Sequence, residues 1–323
     1  MGILSAIRFD LRRAPFSPVS EADLYRECVA MARFADEVGI PSITIPEHHG
    51  VDFVASPTTL AGLILGATER VHVLSNALLV PLHDPVRLAE AVATLDVASG
   101  GRFTLVAGLG YRHEEFEMAG VDRSRRAALL EEHLDVMFRA WTGEPVEWRG
   151  RTIVVRPVPV SPPRRLVWMG GAARRSAERA ARLGVPLFTM ASDPEPLRAV
   201  YEEECAKAGF TKGLFSHPRG PLFLHVSEDP DADWERIAPY AVYDATTYRA
   251  WQTGDHDNAA ITDGDTAADL RASGQWVVAT PEEVVELGRR DGVVALHPLM
   301  GGMPPELGWS SLRLFAEQVL PHL

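Results

Sequence analysis

The sequence predicts an α/β fold, a (β/α)8 TIM barrel with insertion segments, and three observations carry that expectation. Short β-branched runs alternate with longer amphipathic runs, the pattern of parallel strands joined by crossover helices. Eight strand candidates are present, each followed by a helical stretch, which matches a closed barrel better than its rival, an open doubly wound sheet. The chain has 323 residues, and such barrels run past about 250 residues as one domain. One domain over 1–323 is expected, with a small insertion at about 144–163 and a long excursion at about 229–280.

The strands are expected at 4–10, 42–46, 71–76, 103–107, 166–169, 187–190, 222–226 and 293–299. The first helix, over 21–38, opens behind Ser20 with Asp23 in its first turn. It places Leu24, Cys28, Met31, Ala35 and Val38 on one face and stops at Gly39, an apolar stripe between an N-cap and a C-cap signal. The same logic gives helices over 58–68, 85–98, 125–142, 173–183, 194–208, 281–290 and 306–320. The insertion carries VEWRGRTIVVRPVPVSPP, read as a small hairpin followed by a Pro-rich connector. The excursion holds Trp234, Tyr240, Tyr243, Tyr248 and Trp251 in a helical part, then the polar run TGDHDNAAITDGDTAADL. A connection of that length is expected to be a functional lid or loop rather than a core element. Substrate contacts are expected in it, with 253–269 ordering over the site.

Composition narrows the function. Hydrophobic residues make up 46% and charged residues 24%, which excludes disordered, collagenous and coiled-coil chains. The 32 Lys and Arg against 44 Asp and Glu give a net charge of −12, and basic residues gather only in short groups at 123–126, 164–165 and 174–175. Nucleic-acid binding is therefore not expected. Cys28 and Cys205 both sit in helical patterns, so no disulfide framework or cysteine metal site is read. The charge-free stretch 53–68 is broken by Pro57 and the N-terminus lacks an apolar core, so neither membrane span nor leader is expected and the protein is placed in the cytoplasm.

In a barrel the chemistry lies where strands end and the following loops begin. His72 opens its strand and is read as structural; His48 and His49 close the second, His225 lies on the seventh and His297 on the eighth. Adjacent residues of an extended Glu47-His48-His49 segment point to opposite faces, so the two imidazoles do not readily share one ion and no metal is expected. A neutral imidazole facing a cleft can serve as general acid or base; the alternative is a histidine merely hydrogen-bonded at the rim. Gly170-Gly171-Ala172-Ala173 follows the fifth strand and precedes a helix carrying Ser176, where exposed amides favour an anion such as phosphate. An ordinary strand-to-helix turn is the other reading. Gly108-Leu109-Gly110-Tyr111, after the fourth strand, removes side chains where a planar ligand can stack.

Four separated blocks carry a family resemblance: IPEHHG, then LLVPLHDPVRLAEAVATLDVASGGRFTLVAGLGYRHEEFEMAG, LVWMGGAARRSAERAARLGVPLF, and the closing GMPPELGWSSLRLFAEQVLP. In this order the chain resembles the bacterial luciferase-like flavin-dependent monooxygenases. The resemblance implies a barrel that binds reduced FMN, or the deazaflavin coenzyme F-420, at its C-terminal face. It implies that His48 matches the histidine linked to oxygenation, with Glu47 and His49 completing the motif. Asn76-Ala77 falls where the family places a non-prolyl cis peptide beneath the flavin. Ala172, Ala173 and Ser176 fall at the flavin phosphate, and Arg126 matches an arginine at the same end.

Two departures bear on the activity. Gly108 stands where luciferase has a reactive cysteine and Leu109 where it has an arginine, so light emission is not implied. Ala172 and Ala173 bring no hydroxyl or carboxylate, so phosphate binding leans on backbone amides, Ser176 and an arginine. Three functions follow as expectations: a two-component monooxygenase using oxygen and reduced FMN from a separate reductase to oxidise a small organic substrate; a hydride-transferring oxidoreductase using coenzyme F-420; and a non-catalytic flavin-binding or partner subunit. The first is preferred because of the EHH motif, and a homodimer is expected.

Overall fold

A computed structural model describes residues 2–210, 213–217, 219–251 and 261–323. Its strands are β1 (Leu4–Arg8), β2 (Ser42–Ile45), β3 (His72–Leu78), β4 (Phe103–Ala107), β5 (Val146–Trp148), β6 (Arg151–Ile153), β7 (Val167–Gly170), β8 (Leu187–Phe188), β9 (Phe215–Ser216), β10 (Phe223–Val226), β11 (Trp276–Ala279) and β12 (Val293–Leu296). Eight of them form one parallel sheet in the order β12-β1-β2-β3-β4-β7-β8-β9. Helices cover its outer face, as a curled parallel sheet buried on both sides requires. The fold is an α/β barrel of the predicted class.

Local signals set the elements. The helix Glu21–Val38 starts at Ser20, whose hydroxyl accepts from the Asp23 amide, and ends at Gly39 in the left-handed region. Its buried face is Leu24, Cys28, Met31, Ala32, Ala35 and Asp36, the stripe the 3.6-residue period gives. All five residues of β4 are buried, so it lies at the centre of the core. The insertion folds as the antiparallel β5–β6 hairpin, turning through Arg149 and Gly150 at positive φ.

Three expectations are corrected. The strand at 222–226 exists as β10, but it pairs with β11 in a separate two-stranded parallel sheet, while the two-residue β9 takes the next place in the barrel sheet. β11 itself lies inside the excursion. The helical part expected for the aromatic residues of the excursion is present as Pro230–Trp251, followed by a second helix Ala267–Ala272, but the described part of the excursion is a core element rather than only a lid or loop. Trp234, Ile237, Tyr240, Leu270 and Trp276 close a second hydrophobic core with Phe223, Met300 and Met303. Residues 252–260, which hold much of the expected lid at 253–269, lie outside the described residues. No helix among the described residues is long and apolar enough to cross a membrane.

Candidate active site

The C-terminal ends of β2, β3 and β4 converge on one rim, and the EHH segment divides there as alternation predicts. Glu47 turns inward and is buried. Its Oε1 accepts from His49 Nε2 at 2.9 Å and His83 Nε2 at 2.7 Å, and its Oε2 accepts from the Leu79 amide at 2.5 Å. Burial pushes the Glu47 carboxyl up, but the hydrogen bonds from His49 and His83, the His83 charge and the Leu79 amide bring it down to about 2. Glu47, His49 and His83 thus place three ligand-type atoms within 4.8 Å of one another. Sequence reading missed this grouping because His83 arrives from the next crossover.

His48 goes the other way. Its Nδ1 donates to Glu115 Oε1 at 2.7 Å, and the same oxygen accepts from the His49 amide at 3.0 Å and from Arg112 Nη1 at 3.4 Å. With a carboxylate on Nδ1, Nε2 carries the lone pair and faces the Tyr111 hydroxyl at 3.3 Å. Phe53, Tyr111 and Trp251 present their edges to the ring at 4.8, 5.6 and 5.1 Å between centroids. Burial lowers the His48 pKa below its ordinary value despite the opposing pull of Glu115. The imidazole is therefore neutral near pH 7, a base whose conjugate acid a carboxylate stands ready to stabilise. Its neighbour His49 is raised instead, by its hydrogen bond to Glu47 against partial burial.

Beside this pair runs a shelf made of backbone and small side chains. The Asn76–Ala77 peptide is cis, at the position the resemblance gives. Gly108 packs against it: a Cβ there would lie 2.8 Å from Ala77 Cβ and 3.4 Å from the Leu78 carbonyl oxygen. A side chain at 108 would therefore force Ala77 to shift, and glycine relieves that close approach. Ser75 Oγ is buried beneath the shelf with no hydrogen-bond partner among the described residues, the kind of orphaned group that a bound polar ligand satisfies.

At the end of β7, Gly171 has φ 145° and a Cβ there would strike Ser176 Oγ. The helix Arg174–Leu183 begins at Ala173, and no side chain caps it. The Ser176 amide donates to the Ala173 carbonyl at 2.8 Å, the amides of Arg174 and Arg175 are left for another acceptor, and the helix dipole favours a negative one. Ala172 stands in the approach and Ser176 is buried in the first turn. Arg126 opens the helix Arg126–Ala140 and donates to the Arg123 carbonyl, while Arg123 donates to the Tyr111 carbonyl. Glu131 bonds Arg179 at 2.8 Å, tying the two helices together. Both helices follow neighbouring parallel strands, so Arg126 and Ser176 share the same end of the barrel.

The remaining histidines separate. His72 meets Thr104 Oγ1 at 2.8 Å inside the sheet, as a structural residue. His225 is buried 3.6 Å from Asp233 and away from the EHH segment. His297 lies 3.3 Å from Asp10, a carboxylate that burial raises but His297, Arg8 and Arg12 draw far below its usual range. Glu115, Arg112, Arg12 and Asp10 were not foreseen. Glu115 lies in the first turn of the short helix His113–Ala119 and Arg112 is its N-cap residue, a segment too short to show a period.

Known proteins resemble the chain in family and in fold. A family model described as luciferase-like monooxygenase matches residues 5–290. Among solved structures, a monooxygenase from Streptomyces bottropensis superposes with a TM-score of 0.81 at 23% identity, covering 99% of each chain. The FMN-bound oxygenating constituent of 3,6-diketocamphane monooxygenase from Pseudomonas putida gives 0.72 at 18% identity, over 100% of this chain and 99% of that one. The coenzyme F-420-dependent tetrahydromethanopterin reductase from Methanopyrus kandleri gives 0.64 at 17%, again over 100% and 99%. At such identities the likeness is one of fold. The chain spans about half the length of the curated relatives it matches.

Proposed function

The chain belongs to the luciferase-like monooxygenase family, and from that footing we propose that this oxidoreductase is an FMN-dependent monooxygenase of the two-component type, fed reduced flavin by a separate reductase and oxidising a small organic substrate. The observation that carries the reading is the buried His48–Glu115 pair beside the Gly108 shelf. The residues present fit a flavin. Gly108 and Ala77 leave a flat approach, Ser75 Oγ offers a buried polar atom, and the uncapped helix at Ala173 suits a terminal phosphate. A hydride-transferring enzyme using coenzyme F-420 would need the same phosphate end but has less use for a carboxylate-held base, which is why FMN is preferred.

Reduced FMN, when bound, supplies the electrons that activate oxygen for transfer to the substrate. The protein's own tasks are positioning, proton handling and water exclusion. Backbone amides at 174 and 175 with the Ser176 hydroxyl and Arg126 would hold the phosphate, and Gly108 and Tyr111 would bound the ring. Nε2 of His48 takes or returns a proton while Glu115 holds the tautomer and stabilises the charged form. Phe53 and Trp251 keep water from the imidazole. The test is His48→Ala. Binding of reduced FMN under anaerobic conditions should remain within about twofold, whereas turnover falls about 10²-fold, the usual size of a positioned base. Unchanged turnover would remove His48 from the chemistry and with it this reading.

A further inference from the structure

Arg12 is only 1% exposed. Its Nη1 donates to the carbonyl oxygen and to Oδ1 of Asp244 at 2.8 and 2.7 Å. Nε and Nη2 are buried with no partner among the described residues. These two nitrogens form the side-on edge of the guanidinium, the pair of parallel donors that grips oxygen acceptors. Native interiors rarely leave such donors unpaired, and a pair on one edge of one residue points to an acceptor that comes from outside.

The surroundings define that acceptor. The guanidinium carbon lies 4.7, 5.2 and 5.6 Å from the ring centroids of Trp251, Phe53 and Tyr248. Two of these rings, Phe53 and Trp251, also touch His48, so a molecule held at Arg12 lies across shared walls from the imidazole. Flat walls select a planar ring. Charge decides the rest: Arg12 already faces Asp244, Arg8 faces Asp10 at 3.3 Å and Arg112 faces Glu115 at 3.4 Å. An anionic ligand would enter with no cation left to neutralise it, and burying it unpaired is costly. A neutral carbonyl, with two lone pairs on one oxygen, satisfies both donors and adds no charge.

We propose that Arg12 is the recognition residue for a neutral, planar aromatic carbonyl compound, whose oxygen accepts from Nε and Nη2 while its ring lies among Phe53, Tyr248 and Trp251. Calling that compound the substrate rests on the monooxygenase reading above; its binding does not, and is measured without flavin.

Three ligands on one naphthalene ring separate the possibilities: 2-acetonaphthone, its hydrocarbon isostere 2-isopropenylnaphthalene, and 2-naphthoate, each titrated by calorimetry into the full chain. The ketone should bind about tenfold or more tighter than the hydrocarbon, as hydrogen bonds to a charged donor imply, and tighter than the carboxylate. Arg12→Lys keeps a cation for Asp244 but loses the fork, and should shrink the gap between ketone and hydrocarbon to less than about threefold. Equal binding of ketone and hydrocarbon, tightest binding by the carboxylate, no binding of the ketone, or an unchanged gap in the lysine variant would each overturn the assignment. Should the variant fail to fold by circular dichroism, the three wild-type titrations decide alone. A parallel titration with reduced FMN keeps the two readings apart: ketone selectivity without flavin binding overturns the monooxygenase reading and supports Arg12, and flavin binding without ketone selectivity overturns only Arg12.

Discussion

Replacing Glu115 with Gln isolates the charge that holds His48. The carboxylate accepts three donors on Oε1, from His48 Nδ1, the His49 amide and Arg112, whereas Oε2 is buried with no partner among the described residues. A glutamine can keep its oxygen toward the three donors and place its amide where Oε2 stands, so the shape is preserved, the charge is lost, and the buried amide donors add a stability cost. Charge-assisted hydrogen bonds are worth about 1.5–3 kcal/mol against about 1 for neutral ones. If that difference, about 0.5–2 kcal/mol, acts on the protonated imidazole, turnover falls roughly 2- to 30-fold. The pH dependence has a definite sign: Glu115 raises the His48 pKa and burial lowers it more. The acidic limb of kcat/KM should lie below the ordinary histidine value in the wild type and move lower still in the variant. Removing the counter-charge from buried Arg112 should also cost a few degrees of Tm. Steady-state profiles between about pH 4.5 and 8, with reduced-FMN affinity as a control, check this. Unchanged kcat, or an acidic limb that moves upward, would refute the dyad.

Two further outcomes follow from the rim. Glu47→Gln should destabilise the protein by about 3 kcal/mol at pH 7, the value of a carboxyl drawn from 4.5 to about 2. Because a depressed acid contributes stability above its unfolded pKa and loses it as pH falls through the folded one, the urea midpoints of variant and wild type should converge between about pH 4.5 and 2; identical midpoints at pH 7 would contradict the role. Gly108→Ala brings a methyl to within 2.8 Å of Ala77 Cβ, so denaturation should show a loss of about 1–3 kcal/mol and reduced FMN should bind more weakly; a variant as stable and as tight as wild type would contradict the shelf.

How far the sequence carried depended on the range of the interactions. Helix Glu21–Val38 was legible to the residue because its caps, Ser20 and Gly39, lie within a turn of its ends, whereas β3 was legible as a strand but runs to Leu78, two residues past its expected end. β9 was not legible because two residues, Phe215 and Ser216, carry no period. β11 was missed although Trp276, Val277 and Val278 form a β-branched run, because it lay inside a segment whose polar stretch read as loop. At the site, the residue types of the EHH motif were visible, but their partners were not. Neither Glu115 nor Arg12 carries a local signal, because their partners lie 67 and 232 residues away along the chain.

The proposed placement of a flavin on this rim puts its phosphate at the start of the helix Arg174–Leu183. It is tested most directly by the affinities of reduced FMN and reduced riboflavin for the wild type and for Ala173→Glu. A carboxylate at the uncapped helix start repels phosphate and occupies its amides, so FMN should weaken by about tenfold or more while riboflavin changes by less than about threefold. Equal losses for the two ligands, or none for FMN, would place the phosphate elsewhere and contradict the account.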